Sequence, residues 1–505
     1  MNMKILRKTL MTVLLTAAAV SASAKDYQMS IFGIKSDGTT MNTRSIQHAI
    51  DYIAQQGGGR LVFTVGRYLT GSIHLRSKVT LHLSEGAILV GSTNPYDYDM
   101  ELGAWYGLVL ANGQDSIAIT GKGMIDGRGR ELANNFLAQA ANGVINDPLK
   151  LGRVANRPML IYFRECSNVT VRDITLQQPA FWTQTYDQCR QLLIDGVTVH
   201  SRAYWNNDGM DIVDCNGAVI QNCYVDATDD AICLKSHDAN ALCQNITVRN
   251  NKACSSASAI KFGTASVGGF KNIRIVNNTV FDTFRSAITI QAVDGGVADN
   301  IVVDSLKAIN TGNAIYLVVG QRRADAHKLI AIDEKLNKIR RSSMTGVHIS
   351  NVYAEIPATK PDAGYEYEGP TEDNPRNISP SAIVGLADAP VTDVSIENVE
   401  IVYPGGGDPN YAKVGTDELD KVPEMPRAYP EFSQHKELPA WGFYVRHAKG
   451  VTFKNVKLTA QKADYRPAIV LDDVQGGAFS KIKTKEPQSG KKTQLFVHNS
   501  KNIRQ

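Results

Sequence analysis

Five stretches of the sequence repeat one pattern and decide the fold: LLIDGVTV (192–199), AVIQNCYV (218–225), ITVRNNKA (246–253), IRIVNNTV (273–280) and IVVDSLKA (301–308). In each, apolar residues alternate with other residues, a turn residue follows, and a second alternating run completes the unit. The unit also begins at Val169, and further copies begin at Ile117, Val347, Val394 and Val451. Between Val169 and Ile301 the copies are 23 to 28 residues apart, and the other intervals are two coils long or enlarged by insertions.

A second short apolar strand precedes each copy, and the clearest cases are residues 209–212, 231–234, 259–262, 287–290 and 314–317. Alternation with period two is typical of strands. Periods this short leave no room for the helical crossovers of βαβ units. We therefore predict an all-β chain wound as a single-stranded parallel β-helix, with one coil for each period.

Asparagine and cysteine recur at fixed positions of the repeat. Asparagine tolerates left-handed backbone angles and can stack its amide on the next coil, and it occupies one turn position at Asn222, Asn250, Asn277, Asn351, Asn398 and Asn455. The cysteines three residues before the repeat unit are Cys166, Cys189, Cys215 and Cys243. We interpret them as a buried ladder of small apolar side chains. Coils about 4.8 Å apart would also permit disulfides.

An amphipathic helix is predicted near the N-terminus. It would begin after the cap Asn42-Thr43, and end at the glycines of residues 57–59. Its apolar residues at helical spacing are Ile46, Ala49, Ile50 and Ile53. A helix laid across the end of the coil stack would prevent edge-to-edge strand pairing, so we expect a capping role.

Composition and charge limit the classes of function. With 43% hydrophobic and 21% charged residues, the chain is expected to be folded. The net formal charge of +4 falls to +1 without Lys4, Arg7 and Lys8, which gives no support for nucleic-acid or membrane partners. Those residues precede an apolar run and Ala22-Ser23-Ala24, the small-residue pattern of a signal-peptidase site.

We therefore expect residues 1–24 to be a signal peptide rather than a short buried helix, with a periplasmic or extracellular mature protein beginning at Lys25. No other stretch is apolar for long enough to cross a bilayer. Residues 25–505 are predicted to form one catalytic domain. Twelve of the eighteen prolines lie between Pro357 and Pro439, and we expect insertions at about 322–345, 357–380 and 404–440, thrown out from the coil stack.

Three aspartates are expected to converge on two neighbouring coils. Asp208 and Asp230 each precede a second strand at the same position of the repeat, and Asp229 is the chain neighbour of Asp230. Stacking would place the Cα atoms of Asp208 and Asp230 roughly 5 Å apart. Carboxylates that close raise at least one pKa, and glycoside hydrolysis needs one protonated and one ionised carboxyl group.

Other interpretations of this cluster stay open. Three carboxylates could bind Ca²⁺ in a polysaccharide lyase, with Lys235 or Lys261 as the base. A non-catalytic sugar-binding β-helix could use Tyr204, Trp205 and Trp182 as stacking platforms. Aspartates are also ordinary turn residues.

The motifs around these aspartates resemble those of glycoside hydrolase family 28, the polygalacturonase family. Residues 206–211, Asn-Asn-Asp-Gly-Met-Asp, resemble its N-T-D-G motif, and residues 229–233 resemble its G-D-D motif. The resemblance implies a right-handed, pectin-lyase-like β-helix that hydrolyses α-linked uronic-acid polysaccharide or oligosaccharide with inversion and without metal or other cofactor. It also implies that Asp229 is the general acid, that Asp208 and Asp230 activate water, and that Asn206 supports them.

Two other family motifs are missing. The G-H-G motif aligns with Ala257-Ser258-Ala259 and the R-I-K motif with Ile288-Thr289-Ile290, which contain neither histidine nor a cation. In the family these positions help to bind the galacturonate carboxylate, so we expect a rhamnogalacturonan-type substrate rather than plain homogalacturonan. Further substrate-binding candidates are Asp211, Lys235, Ser258 and Lys261. Lys261, expected on the solvent-facing side of its strand, could supply a substitute cation, and Arg285 is a second candidate for that role.

Overall fold

The computed structural model describes residues 25–101, 105–144, 157–322, 340–359, 361, 379–410, 414–435, 437–487 and 494–505. In these residues the chain forms thirty-two strands and two α-helices. Except for a short hairpin between β7 and β8, the strands named below pair in parallel, each with the equivalent strand of the next coil. The prediction of an all-β parallel β-helix is confirmed. The predicted signal peptide at residues 1–24 lies outside the described residues.

The register follows the sequence repeat. Val169 pairs with Leu192, and the same first position of the unit is in register on each following coil through Val451. Ile117 also lies one coil before Val169, because the amide of Thr170 donates to the carbonyl of Ile117. The longer intervals are therefore single coils enlarged by insertions, and the alternative of two coils is wrong.

The N-terminal coils contain ten strands: β1 Asp26–Gln28, β2 Gly59–Phe63, β3 Gly66–Thr70, β4 Ile73–His74, β5 Val79–Leu83, β6 Ala87–Gly91, β7 Met100–Glu101, β8 Trp105–Asn112, β9 Ala118–Thr120 and β10 Met124–Asp126. The central coils contain β11 Met159–Arg164, β12 Ser167–Arg172, β13 Thr175–Gln177, β14 Gln184–Asp187, β15 Arg190–Asp195, β16 Thr198–Ser201, β17 Met210–Val213, β18 Asn216–Gln221, β19 Tyr224–Ala227, β20 Ile232–Ser236, β21 Cys243–Arg249, β22 Lys252–Ser255 and β23 Ile260–Ser266.

The C-terminal coils contain β24 Gly269–Ala292, β25 Val297–Val319, β26 Ser343–Glu355, β27 Ser381–Val384, β28 Val391–Gly405, β29 Phe443–Lys462, β30 Ile469–Lys485, β31 Leu495–His498 and β32 Lys501–Arg504. Several of these strands bend around the coil without a break. β24, for example, pairs with three separate strands of the preceding coil, β21, β22 and β23.

Both predicted ladders are present. The asparagines of the turn position have φ between 53° and 58°, and the amide of Asn455 donates to Asn398, which donates to Asn351, at 2.9 and 3.2 Å. Cys166, Cys189, Cys215 and Cys243 stack on successive coils, with their side chains buried in the core. All seven cysteines belong to the described residues, and all seven are free thiols.

The predicted capping helix, α1, spans Thr43–Gln55 and buries Ile46, Ala49, Ile50 and Ile53. Asn42 occupies its N-cap position, but the side chain does not cap the helix and instead bridges to the backbone of Lys35. A second helix, α2, spans Gly129–Ala141 and was not predicted. It lies in the enlarged coil that follows Ile117, and buries Leu132, Ala133 and Phe136.

The segment 404–440 does not project from the coils as expected. Its described part folds back over the outer face of β25, β27, β29 and β30, where its apolar residues are buried against Tyr316, Tyr444 and their neighbours. Two short 3₁₀ turns, Leu419–Lys421 and Phe432–His435, lie in this segment, and two others are Met29–Phe32 and Pro95–Asp97. Most of the other two predicted insertions, residues 323–339 and 362–378, lies outside the described residues.

Candidate active site

Stacking places Asp208 and Asp230 at equivalent positions of neighbouring coils, as predicted. The amide of Gly209 donates to the carbonyl of Asp230 at 2.9 Å, and the amide of Ala231 donates in the same way to Ser258 on the next coil at 3.0 Å. The carboxylates of Asp208 and Asp230 are almost fully buried, whereas Asp229 is partly exposed. Asp229 is therefore the most exposed of the three aspartates.

The turn before Asp208 is rigidly held. The side chain of Asn207 accepts hydrogen bonds from the amides of Ala203 and Tyr204 at 2.8 and 2.6 Å, and donates to Phe181 O at 2.9 Å. Arg157 is buried between the rings of Phe181 and Tyr204, 5.2 and 4.7 Å from the ring centroids. This packing fixes the backbone that delivers Asp208.

Lys235 is the cation of the Asp208 coil. Its Nζ lies 2.9 Å from Asp208 Oδ2, donates to Asp211 Oδ1, and is 3.1 Å from the sulfur of Cys233. The ring of Trp182 covers it, with the centroid 4.6 Å from Nζ. Asp211 is therefore a buried partner of Lys235. The charge of Lys235 neutralises one carboxylate of the cluster.

Lys261 is the cation of the Asp230 coil. Its Nζ lies 2.9 Å from Asp230 Oδ2 and 3.4 Å from Glu431 Oε1. The expectation that Lys261 faces solvent is wrong, because it is only 1% exposed. It does lie on the outer side of the coil, in register with Cys233 and Asp211, but the segment carrying Glu431 covers it. Arg285 Nη1 lies 3.3 Å from the same Glu431 oxygen.

The protonation preferences of the aspartates differ. Burial raises the pKa of Asp229, and the adjacent Asp230 raises it further. Burial also tends to raise the pKa of Asp230. The positive charges of Lys261, Lys235 and Arg285 outweigh burial and hold this pKa below the ordinary value. A carboxyl that favours its proton thus lies beside one that favours ionisation, which is the pairing an acid–base hydrolysis requires.

Two further carboxyl groups have raised pKa values. Burial raises the pKa of Asp208 well above its ordinary value. Lys235 opposes this effect, whereas Asp211, Asp229 and Asp230 reinforce it. Burial raises the pKa of Asp211 to about 6 despite its contact with Lys235. The cluster therefore shares protons as one coupled unit.

The donor set does not fit Ca²⁺. Ligand atoms of Asp208, Asp230 and Cys233 lie within 4.8 Å of one another, but one of the three is sulfur and Ca²⁺ takes six to eight oxygen ligands. The ammonium groups of Lys235 and Lys261 already contact the two carboxylates.

The other predicted residues lie around this centre. The amide of Ser258 donates to Asp230 Oδ1 at 3.1 Å, with its side chain buried. Asn206, at φ 57°, accepts from Arg157 at 3.4 Å in the turn before Asp208. Trp182 stacks on Phe181 with ring centroids 5.1 Å apart and is partly buried, whereas Tyr204 is buried.

Sequence reasoning missed the contributions of Glu431, of Arg157 and of Tyr429, whose hydroxyl accepts a hydrogen bond from Lys261 at 3.4 Å. Glu431 lies 170 positions from Lys261 in the chain, and no local pattern connects the two. The density of prolines around 404–440 indicates an insertion. It does not indicate whether that insertion projects from the coils or packs over them.

The chain is similar to several known proteins. The family model of glycosyl hydrolases family 28 matches residues 63–311. A protein of Vitis vinifera named "Probable polygalacturonase" is 25% identical over 408 residues, which are 76% of each chain. The exo-poly-alpha-D-galacturonosidase of Dickeya chrysanthemi is 27% identical over 335 residues, which cover 56% of this chain and 55% of that protein.

A solved structure has the same fold. The family 28 exopolygalacturonase of Yersinia enterocolitica superposes with a TM-score of 0.63 at 20% identity, and the match covers 96% of this chain and 78% of that one. The predicted right-handed, single-stranded parallel β-helix is confirmed.

Proposed function

This chain belongs to glycosyl hydrolases family 28 and is a glycosidase, and we propose that it hydrolyses α-glycosidic bonds in galacturonate-containing pectic polysaccharide or oligosaccharide. The names of its relatives in Vitis vinifera and Dickeya chrysanthemi point to galacturonan. The observation that carries the proposal is the stacking of Asp208 on Asp230 beside Asp229, with a lysine on each coil. The opposite pKa displacements of Asp229 and Asp230 support it.

In the proposed mechanism, Asp229 donates its proton to the leaving glycosidic oxygen. Asp230, kept ionised by Lys261, removes a proton from the attacking water, and Asp208 helps to orient that water. Inversion of the anomeric configuration, which the family resemblance implies, requires this water to attack from the face opposite the leaving group. Asn206 supports the turn that carries Asp208.

Hydrolysis is favoured over a lyase reaction by the state of the lysines. A lyase base must be a neutral amine, and burial does lower the pKa of Lys235 and Lys261. Their carboxylate partners outweigh burial and hold both pKa values well above the ordinary lysine value. Each ammonium is also engaged by carboxylates and is thus poorly placed to accept a proton.

We further propose that rhamnogalacturonan-type chains are preferred over plain homogalacturonan. Ile288 and Ile290 replace the basic residues of the family motif and are fully buried in the core. Ser258 replaces the histidine, and its side chain is also buried. These positions offer no cation to a galacturonate carboxylate, and the remaining candidates, Asp211, Lys235 and Lys261, are engaged with one another or with other residues of the cluster.

Export is part of the proposal. Residues 1–24 have the pattern of a signal peptide, which would place a single catalytic domain of residues 25–505 in the periplasm or outside the cell. In the described part of the chain, no helix has the length and hydropathy of a membrane span.

The test is a screen of purified protein on polygalacturonate, rhamnogalacturonan and a neutral galactan, with reducing ends and unsaturated products followed in parallel. The proposal expects reducing ends without unsaturated sugars, and a higher rate on rhamnogalacturonan than on polygalacturonate. Unsaturated products would establish a lyase instead. Binding of a pectic fraction without any product would favour a carbohydrate-binding protein.

A further inference from the structure

Glu431 places a carboxylate between two buried cations beside the acid cluster. Its Oε1 lies 3.4 Å from Lys261 Nζ and 3.3 Å from Arg285 Nη1, and Lys261 in turn contacts Asp230 at 2.9 Å. Glu431, Lys261 and Arg285 are each less than 6% exposed. The proposed catalytic mechanism does not use Glu431.

The backbone around Glu431 is firmly attached to the coils. Gln291 donates to Pro430 O at 2.8 Å, and the amide of Gln321 donates to Pro426 O at 2.7 Å. Phe432 is buried with the apolar residues of the same segment against the outer face of the helix. Glu431 is therefore a permanent part of the site rather than the end of a loose loop.

Two cations around one carboxylate form the kind of site that binds a uronate carboxylate from a substrate. Here the protein fills that site with its own side chain. Resting on the proposed function, we propose that Glu431 is a specificity-determining residue. It occupies the anion-binding site formed by Lys261 and Arg285. The adjoining subsite therefore takes a sugar with an uncharged substituent in place of a free uronate.

The charges around this anion-binding site support the assignment. A uronate carboxylate that approached Asp230 would meet the negative charges of Asp230 and Glu431, while the two nearest cations are already engaged with these carboxylates. Like charges brought together at a desolvated interface are strongly unfavourable. A neutral sugar, or a galacturonate whose carboxyl group is methyl-esterified, avoids that repulsion.

Trigalacturonate and its fully methyl-esterified form provide the test, since they differ only in the charge of the carboxyl group. The kcat/KM for each substrate is measured for the wild type, for Glu431→Gln and for a matched control, Glu437→Gln. Glu437 lies in the same segment and is equally buried, but its carboxylate accepts a hydrogen bond from Tyr465 at 2.8 Å.

The wild type is expected to prefer the ester. Glu431→Gln should move the ratio of the two kcat/KM values towards the free acid by about tenfold or more, because a neutral amide no longer compensates the positive charges of Lys261 and Arg285, which then attract a nearby uronate. Glu437→Gln should leave the ratio unchanged. A wild type that prefers the free acid, or a Glu431→Gln ratio equal to that of the wild type, would overturn the proposal.

Calorimetric binding of both ligands to the Asp229→Asn variant separates this inference from the proposed function. The screen on pectic fractions decides the proposed function, whereas this binding comparison decides the role of Glu431 even if the wild type cleaves neither ligand: tighter binding of the ester supports that role. If Glu431→Gln does not fold, the binding of the ester and of the free acid to Asp229→Asn still tests the role of Glu431. Tighter binding of the free acid, or no binding of either ligand, contradicts the inference.

Discussion

Lys235 and Asp208 form a buried ion pair, with 2.9 Å between Nζ and Oδ2. Lys261 and Asp230 form an equivalent pair on the next coil at the same distance. The two aspartates nevertheless differ, because Asp208 shares its lysine with Asp211, whereas Asp230 is near three cations. Because of this asymmetry, Asp208 holds its proton more firmly than Asp230.

The pH dependence of kcat/KM should be bell-shaped, with Lys261 setting its acid limb. Asp230 must be ionised, and its pKa is lowered. Asp229 must be protonated, and its pKa is raised. Activity is therefore expected between these two pKa values. Lys261→Met removes the nearest positive charge, raises the pKa of Asp230, and should move the acid limb to higher pH. Lys271→Met, at an exposed ion pair with Asp299, is the control. An acid limb that stays in place would refute this role of Lys261.

Lys235→Met should destabilise the protein strongly. The substitution leaves the carboxylates of Asp208 and Asp211 buried without their cation, a change that typically costs about 3–5 kcal/mol. The free energy of unfolding in urea measures it. Lys454→Met, at an exposed pair with Glu397, should have almost no effect. Equal stability of the two variants would mean that Lys235 is not needed to neutralise the cluster.

The titration of Asp211 should make stability fall as pH rises. Its folded-state pKa, about 6, exceeds the ordinary value of 3.8, so the folded protein holds the proton more tightly than the unfolded chain. The resulting stabilisation is complete below pH 3.8 and is lost as the pH rises through about 6. Urea unfolding of the wild type and Asp211→Asn over this range measures it. The stability difference in favour of the wild type should shrink with pH, and growth of that difference would be inconsistent with a raised pKa.

The asparagine ladder should contribute measurably to stability. Asn398 has φ 54° and exchanges side-chain hydrogen bonds with Asn351 and Asn455. Asn398→Ala combines backbone strain with the loss of these bonds, and should cost about 1–3 kcal/mol. Asn398→Gly relieves the strain alone and should cost less. Chemical unfolding distinguishes the two, and an alanine variant as stable as the wild type would mean that the ladder is dispensable.

The coil register could be predicted from the sequence because each coil contacts its immediate neighbours. A periodic pattern therefore carries the information for nearly every strand pair, and it also aligned Asp208 with Asp230. The helix α1 could be predicted from the spacing of its apolar residues. The same spacing at Leu132 and Phe136 could have predicted α2, and the amide ladder through Asn245, Asn272 and Asn300 was equally visible.

The cover over the site could not be predicted in this way. Glu431 contacts Lys261 and Arg285 across 170 and 146 positions of the chain, and the path of an insertion sets both contacts. Strand alternation correctly placed Lys261 on the outer face of its coil, but it carries no information about what packs on that face. Burial of Lys261, and with it the low pKa of Asp230, depends on this long-range packing.

The central claim, that Asp229 is the proton donor of a hydrolytic cluster, is tested most directly by the initial rate of reducing-end release in Asp229→Asn. Asp226→Asn is the matched control, since Asp226 lies three residues earlier and pairs with Arg202 at 2.7 Å. The account predicts a loss of about 10²-fold or more for Asp229→Asn, with the fold retained and Asp226→Asn close to the wild type. Full activity of a folded Asp229→Asn variant would contradict it.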